Sequence, residues 1–331
     1  MNMVEYQVYG VGNALLDMEF SVPVELLENL KIDKGVMTLI NEDQEQELVA
    51  KLSQLPSKKS SGGSAANTLV AFSQFGGLGF YSCKVANDES GHFFLKDLKT
   101  SGLDTNLQSD TLDNGITGKC LVFVTPDADR TMNTFLGITS EIVPADLLPE
   151  AILGSQYLYL EGYLTASATG LDTVLKAKEI AHSGNVKVAF SLSDPNMVEY
   201  FSKSIQKVIE GGLDLIFANE EESFKLAKTN SLTESIAYLQ NISRGFALTL
   251  GSRGSLVYYD GELIEINPVQ VQAIDTVGAG DMYAGAFLYG LTQGMGAQRS
   301  GELASKASAR IVTHFGPRLS KEDVQSLLIG F

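Results

Sequence analysis

The chain is short of the residues that build thiol and metal chemistry. Its two cysteines, Cys83 and Cys120, stand far apart and in no Cys-x-x-Cys spacing, which argues against a disulfide framework and against a structural zinc site. Both read as buried free thiols. The three histidines, His92, His182 and His314, show no metal-ligand spacing, and a Gly-x-Ser-x-Gly elbow is missing, so neither a histidine metalloenzyme nor a serine hydrolase of that kind has support. Apolar runs are short, none approaching the roughly 18 residues of a membrane span. The start, MNMVEYQVYGVG, lacks the basic region and apolar core of a signal peptide; the expectation is a cytoplasmic protein with no membrane partner. Positive charge is scarce as well. With 24 Lys and Arg against 40 Asp and Glu the formal charge is −16, the wrong sign for a nucleic-acid partner. An anionic substrate would need local help from backbone N–H groups, one or two arginines, or a divalent cation.

What is there reads as α/β. At 331 residues, 44% hydrophobic and 19% charged, the chain has a soluble globular composition and the length of one large domain with an appendage, or of two domains. Short runs rich in Val, Ile, Tyr and Phe predict strands near 6–12, 79–85, 156–161, 186–192, 213–218, 245–250 and 254–259. Stretches of helical period predict helices near 64–75, 90–101, 170–183, 197–210, 220–228, 232–241, 280–293, 301–314 and 320–329. Such alternation is the signature of a mostly parallel sheet with helices on both faces. Two segments break it, about 18–40 and 105–137, where β-like runs are joined by polar turns such as 125–130 (TPDADR). They predict a small β element projecting as a lid over a cleft. The polar cluster 57–63 (SKKSSGG) reads as a loop, and no fixed-period repeat is present.

The run 274–285, IDTVGAGDMYAG, puts acids and glycines where a helix would carry leucines. A strand-like stretch, 263–275, is expected to end at Asp275, and the small apolar run after the glycines to form a helix. Gly278, Ala279 and Gly280 then fall at a helix N-terminus, where unpaired N–H groups and the positive dipole end accept an anion. Small residues leave room for a phosphate to approach. Asp281, in the first turn, would repel a resting phosphate. The contradiction resolves if it takes the proton of a neighbouring hydroxyl while the amides hold the moving phosphoryl group. By itself the aspartate reads equally well as a helix cap.

Two further stretches, GNALLD at 12–17 and GGSAAN at 62–67, lie beyond a strand end or at a helix start, where open α/β sheets bind ligands. Their amides and carboxylates suit sugar hydroxyls, although either alone also reads as turn chemistry. Two other glycine signals are decoys. Gly10-Val11-Gly12 lacks the third glycine of a dinucleotide fingerprint, Leu15 standing in its place, and Gly118-Lys119 lacks the spacing and the Ser/Thr of a P-loop.

In this order and across nearly the whole chain, GNALLD, GGSAAN, ANEEE (218–222), TLGSRGS (249–255) and above all DTVGAGD (275–281) resemble the PfkB (ribokinase) family of carbohydrate and nucleoside kinases. GNALLD together with TPDADRTMNTFLG is similar to the adenosine-kinase-like branch. The resemblance implies one ribokinase-like α/β kinase domain over 1–331, with 18–40 and 105–137 as its lid, and phosphoryl transfer from ATP to a primary hydroxymethyl group of a sugar or nucleoside. It implies Asp281 as base, with Gly278, Ala279 and Gly280 as anion hole, and Asn13, Asp17, Gly63 and Asn67 on the sugar hydroxyls. Asn219 and Glu222 would act through water on Mg²⁺ and phosphate. Thr249, Gly251 and Gly254 would line the nucleotide site, with His314 and Gly316 near the adenine, while Asp275 and Val277 match a loop that binds a monovalent cation such as K⁺ in many members.

Several alternatives stay open at this level. Arg130 is either a solvated turn residue or an added positive charge on the phosphates after lid closure. Glu222 either faces water with Glu220 and Glu221 or serves the site. Phe20, Phe123, Met132 and Phe135 either cover a nucleoside base or form the lid's own core. Adenosine, another ribonucleoside and a free sugar such as ribose or fructose all fit as acceptor; a catalytically silent nucleotide- or sugar-binding regulator is the rival class. Monomer and homodimer are both compatible with the sequence.

Overall fold

A computed structural model of the chain describes residues 6–35, 37–126 and 130–331. Asp127, Ala128 and Asp129 of the expected turn at 125–130 lie outside the described residues. The first half contains β1 (Tyr6–Val11), β2 (Leu15–Ser21), β3 (Met37–Leu39), β4 (Lys58–Gly62), β5 (Gly79–Ser82), β6 (Asp104–Thr105), β7 (Thr117–Val124) and β8 (Arg130–Gly137). The second contains β9 (Ser155–Glu161), β10 (Lys187–Ser191), β11 (Leu215–Asn219), β12 (Phe246–Thr249), β13 (Ser255–Tyr259) and β14 (Glu262–Ile266).

Nine of these strands form one sheet in the order β14-β13-β12-β11-β10-β9-β1-β5-β6. From β12 to β6 every neighbouring pair is parallel; β13 and β14 return antiparallel at one edge. The central strands are apolar on both sides because both faces are covered. In β9, Tyr157 and Tyr159 join the core beneath helices Ser64–Phe75, Ala279–Thr292 and Ala297–Ile311 with Leu69, Phe72, Phe287 and Leu303. Leu158 and Leu160 face the opposite core with Val174 of helix Ala168–Ser183 and Ile205 of helix Ser202–Ile209. Each such side chain contributes about 1.5–3 kcal/mol on burial. The parallel strands run the same way, so Asn13, Glu161, Ser193, Asn219 and Thr249 all stand at or just past their carboxyl ends.

The remaining five strands form a second sheet, β3-β8-β7-β2-β4. Period-2 alternation gives it two different faces. Phe20, Leu121 and Phe123 point one way, into a small core closed by Leu27 of helix Val24–Leu30 and by Leu48 and Leu52 of helix Glu42–Leu52. Leu15, Asp17, Cys120, Met132, Thr134 and Leu136 face the main sheet across a cavity.

Several sequence expectations differ from this picture, each for a physical reason. The presumed loop 57–63 contains β4, an edge strand paired antiparallel to β2 (Leu16 opposite Ser61, Glu19 opposite Lys58), and lysine-bearing polar edges are how sheets avoid further pairing. Helix Glu42–Leu52 went unread, yet Asn41 and Gln44 form its capping box. The second sheet with its helices therefore extends beyond the expected segment 18–40, whereas residue 105, the start of the other expected segment, pairs with β5 in the main sheet. The helix expected over 197–210 is two, Pro195–Tyr200 and Ser202–Ile209, separated at Phe201. The strand expected to run to Asp275 stops at Ile266. Residues 267–278 follow as irregular chain, and Pro268 has no N–H for a ladder.

Helices Ser64–Phe75 and Ala279–Thr292 cross unusually closely. A Cβ on Gly285 would lie 2.6 Å from the Thr68 carbonyl oxygen and 2.9 Å from the Ala71 Cβ. Gly285→Ala is therefore expected to destabilise the protein by about 1–3 kcal/mol through overpacking. Denaturant unfolding checks this; parent-like stability would mean that the crossing is slack.

Candidate active site

The close crossing brings two helix N-termini together. Gly278 precedes helix Ala279–Thr292 with φ 76°, and a Cβ there would lie 2.6 Å from the Pro317 carbonyl oxygen, so the turn is built for glycine. Of the three expected anion-hole amides, that of Ala279 donates to the Thr276 carbonyl at 3.2 Å. No bond among the described residues occupies those of Gly278 and Gly280. Gly63, with φ 101°, opens helix Ser64–Phe75; a Cβ there would meet the Asn13 carbonyl oxygen at 2.1 Å.

Asp281 sits where the two helix starts meet. Its Oδ1 accepts the Ser64 hydroxyl at 2.6 Å and its Oδ2 the Asn67 amide at 3.2 Å. Burial pushes its carboxyl up to about 6, while the hydrogen bonds from Ser64 and Asn67 and the charge of Arg318 pull the other way. Asn67, expected on the sugar, has both ends of its amide in use: Oδ1 accepts Arg318 Nε at 2.8 Å. Arg318 also donates through Nη1 to Asp97 Oδ2 at 2.6 Å.

Two cavities meet at Gly280. The first, about 370 Å³, has a polar floor of Asn13, Gly63 and Asp281, a roof from the second sheet in which Leu15, Met37, Leu39, Met132 and Leu136 stand with Asp17, Cys120 and Thr134, and a side wall that includes Tyr163, Asp194, Asn219 and Glu222. Of the four large lid side chains left ambiguous by sequence, only Met132 lines this cavity. Phe20 and Phe123 stack at 6.1 Å in the lid's own core, and Phe135 borders a separate crevice. Burial pushes Asp17 up to about 7 against the charges of Arg318 and Arg130. The second cavity, about 300 Å³, is lined by Thr249, Gly251 and Gly254, by Ala309 and Val312, and by the irregular segment that carries Val269 and Val271. Ala279 and Gly280 at the helix start complete its lining.

Asn219 and Glu222 are a capping box at the end of β11. Glu222 N–H donates to Asn219 Oδ1 at 2.8 Å, and the Glu222 carboxylate accepts the Asn219 backbone N–H at 2.9 Å and its amide at 2.7 Å. The acidic run thus divides: Glu222 is 5% exposed, its carboxyl pushed up to about 7 by burial, while Glu220 pairs with Arg253 at the surface. No group of three or more His, Cys, Asp or Glu converges as a metal site among the described residues. Glu222 keeps lone pairs for water.

Arg130 and Asp275 meet each other. Arg130 Nη2 lies 2.5 Å from Asp275 Oδ2 and Nη1 lies 3.3 Å from Glu19 Oε2. Asp275 also accepts the N–H of Val277 at 3.0 Å and that of Gly316 at 2.8 Å. Both side-chain oxygens of Asp275 thus accept N–H groups, one of them from the Arg130 guanidinium. Gly316 thus belongs to this loop, and neither it nor His314, whose Nδ1 lies 3.0 Å from the Arg310 carbonyl oxygen, lines the second cavity.

Sequence reasoning missed Glu161, Ser64 and Arg318. Glu161 is fully buried at the end of β9, its carboxylate accepting the N–H groups of Asn13 and Ala65, each at 2.7 Å, so it ties β1 to the Gly63 helix start. Burial pushes it up to about 7. An acid closing the apolar run YLYLE was the available signal. Ser64 lay inside a quoted motif. Arg318 follows Pro317 in irregular chain and carried no signal.

The family model described as pfkB family carbohydrate kinase matches residues 27–324. The chain belongs to this family. An adenosine kinase of Dictyostelium discoideum is 25% identical over 95% of this chain and 96% of that protein. Among solved structures, the adenosine kinase of Sinorhizobium meliloti superposes with a TM-score of 0.88 at 32% identity, covering 98% of both chains. A probable sugar kinase of Rhizobium etli gives a TM-score of 0.89 at 28% identity, again over 98% of both chains. The fold is accordingly ribokinase-like, and the chain is an ATP-dependent kinase of a nucleoside or sugar. No helix among the described residues is long and apolar enough to cross a membrane.

The carboxyls of Asp17, Glu161, Glu222 and Asp281 are all raised in the folded protein. The folded state therefore holds protons that the unfolded chain releases, and the stability these groups contribute falls as pH rises from about 4 to about 7. Removing one such carboxylate should relieve the loss at neutral pH. The stability of Asp281→Asn minus that of the parent is expected to grow by on the order of 1–3 kcal/mol between pH 5 and pH 7.5. Urea unfolding at both pH values reads it, and a difference that shrinks with pH contradicts the assignment.

Proposed function

We propose that the chain phosphorylates the 5′-hydroxymethyl group of a ribonucleoside, in the manner of an adenosine kinase. One observation carries this choice of acceptor. The first cavity sets hydroxyl-binding groups, Asn13, Asp17 and Asp281, beside a stretch of apolar side chains, Leu15, Met37, Leu39, Met132 and Leu136, that covers one side of it. A free sugar presents hydroxyls around its whole ring and leaves that stretch unmatched, whereas a planar base offers it apolar area. The names of the similar adenosine kinases support the same reading.

In this mechanism Asn13 and Asp17 hold the sugar and place its hydroxymethyl oxygen beside Asp281. ATP occupies the second cavity with its γ-phosphate at the Gly278–Gly280 turn. The acceptor oxygen bonds to the γ-phosphorus as the bond from that phosphorus to the β-γ bridging oxygen breaks. The hydroxyl proton passes to Asp281, and ADP leaves. The amides at the helix start stabilise charge on the moving phosphoryl group. Mg²⁺, when bound with the nucleotide, supplies charge neutralisation at the phosphates; Asn219 and Glu222 would hold it through water, since direct ligation would break their capping box. We read the chain as a monomer, because the lid's far face is closed by its own helices.

Two measurements test this. Asp281→Asn is expected to lower kcat by about 10²–10⁴-fold while adenosine still binds by calorimetry; near-normal turnover would remove Asp281 from the chemistry. In a panel of nucleosides and sugars with ATP, adenosine is expected to give the highest kcat/KM. Preference for ribose or fructose would replace the nucleoside reading with the sugar one, and tight binding without turnover on any hydroxyl compound would favour a regulator.

A further inference from the structure

Residues 316 and 317 touch the run 275–281 directly, and residue 318 reaches it through Asn67. The Gly316 N–H donates to Asp275, Pro317 lies against Gly278, and Arg318 reaches Asn67, which donates to Asp281. We propose that Arg318 is the positioning residue for Asp281: it fixes the orientation of the Asn67 amide, and through it the catalytic carboxylate. The assignment rests on the kinase reading above.

Donor direction decides how the Asn67 amide lies. An arginine can only donate, so Arg318 Nε at 2.8 Å obliges Asn67 to present its carbonyl oxygen on that side. The Asn67 nitrogen must then face Asp281 Oδ2, where it lies at 3.2 Å. Turned over, the amide would set its oxygen against a carboxylate. The second arm of the fork, Nη1 to Asp97 at 2.6 Å, locks the guanidinium plane, which is 15% exposed. Nη2 is buried and has no partner among the described residues. A lysine offers one ammonium and cannot hold Asn67 and Asp97 in one plane.

Charge points the same way. Asp281 shares its surroundings with Asp17, Glu161, Glu222 and the phenols of Tyr159 and Tyr163. Among the described residues Arg318 is the cation whose charge acts on it. The same guanidinium is the largest charge opposing protonation of Asp17.

Arg318→Met and Arg318→Lys test the assignment with two readouts. The first is the titration of the Asp281 carboxyl by ¹³C NMR of aspartate-labelled protein without acceptor, its resonance assigned by difference from Asp281→Asn. The second is kcat. Arg318→Met is expected to move the Asp281 titration upward by about half a unit to one unit and to lower kcat roughly 10- to 100-fold. Arg318→Lys, which keeps the charge but loses the fork, is expected to leave the titration within a few tenths of a unit and still lose about 10-fold in kcat; it carries the test if the methionine variant fails to fold. An unmoved titration in folded Arg318→Met, or kcat within two-fold of the parent in Arg318→Lys, overturns the proposal. A parent that turns over no acceptor sinks the kinase reading alone, since the NMR titration is read without turnover.

Discussion

The crossing of helices Ser64–Phe75 and Ala279–Thr292 is the contact on which the site depends. With a hydrogen at position 285, the second helix lies against the backbone of the first at Thr68. That approach lets Ser64 and Asn67, one and four residues into one helix, reach a carboxylate in the first turn of the other. A wider crossing would leave Asp281 without its two donors and would separate the dipole ends that favour negative charge at the same point. Sheet topology makes the arrangement possible, because the loops after the parallel strands all open on this side.

The second constraint is electrostatic. A chain of net charge −16 gathers Asp17, Glu161, Glu222 and Asp281 around one cavity, and burial raises every one of them. Carboxylates survive there because N–H groups meet them: Asn13 and Ala65 at Glu161, Asn219 at Glu222, Asn67 at Asp281. A carboxyl held up to about 6 is still ionised at neutral pH, yet it takes a proton more readily than a surface aspartate. Under the proposed mechanism, the burial that raises the Asp281 carboxyl also costs stability near neutral pH, where that carboxyl would act as base.

Much of this was legible in residue order, and the exceptions have causes. Helix 64–75 was readable to the residue because its apolar period is unbroken and glycines bound it at both ends. The parallel strands were readable because strands buried on both faces are nearly continuous apolar runs. β4 was not, since an edge strand of lysines and serines carries the composition of a loop. The segment 267–278 misled in the opposite direction: its alternating valines suggest a strand, but they line the second cavity. Within the site, the backbone-defined features were visible as motifs. Glu222 stood open between a charge run and the site, and its capping box turns it inward, while Arg318 lies in irregular chain, where no period marks a side chain.

The lid adds a coupling that no single motif contains. Sequence reasoning gave Arg130 and Asp275 separate tasks, one on phosphates and one on a cation, yet they form one partly buried pair, with Glu19 on the other arm of the arginine. Asp275 simultaneously accepts the N–H groups of Val277, next to the Gly278–Gly280 turn in sequence, and of Gly316, whose neighbour Pro317 lies against Gly278. Separating Arg130 from Asp275 would leave that carboxylate only the N–H donors of Val277 and Gly316. The position of the strand that carries Arg130 and the conformation of the segment that carries Asp275 are thereby linked through one side-chain pair.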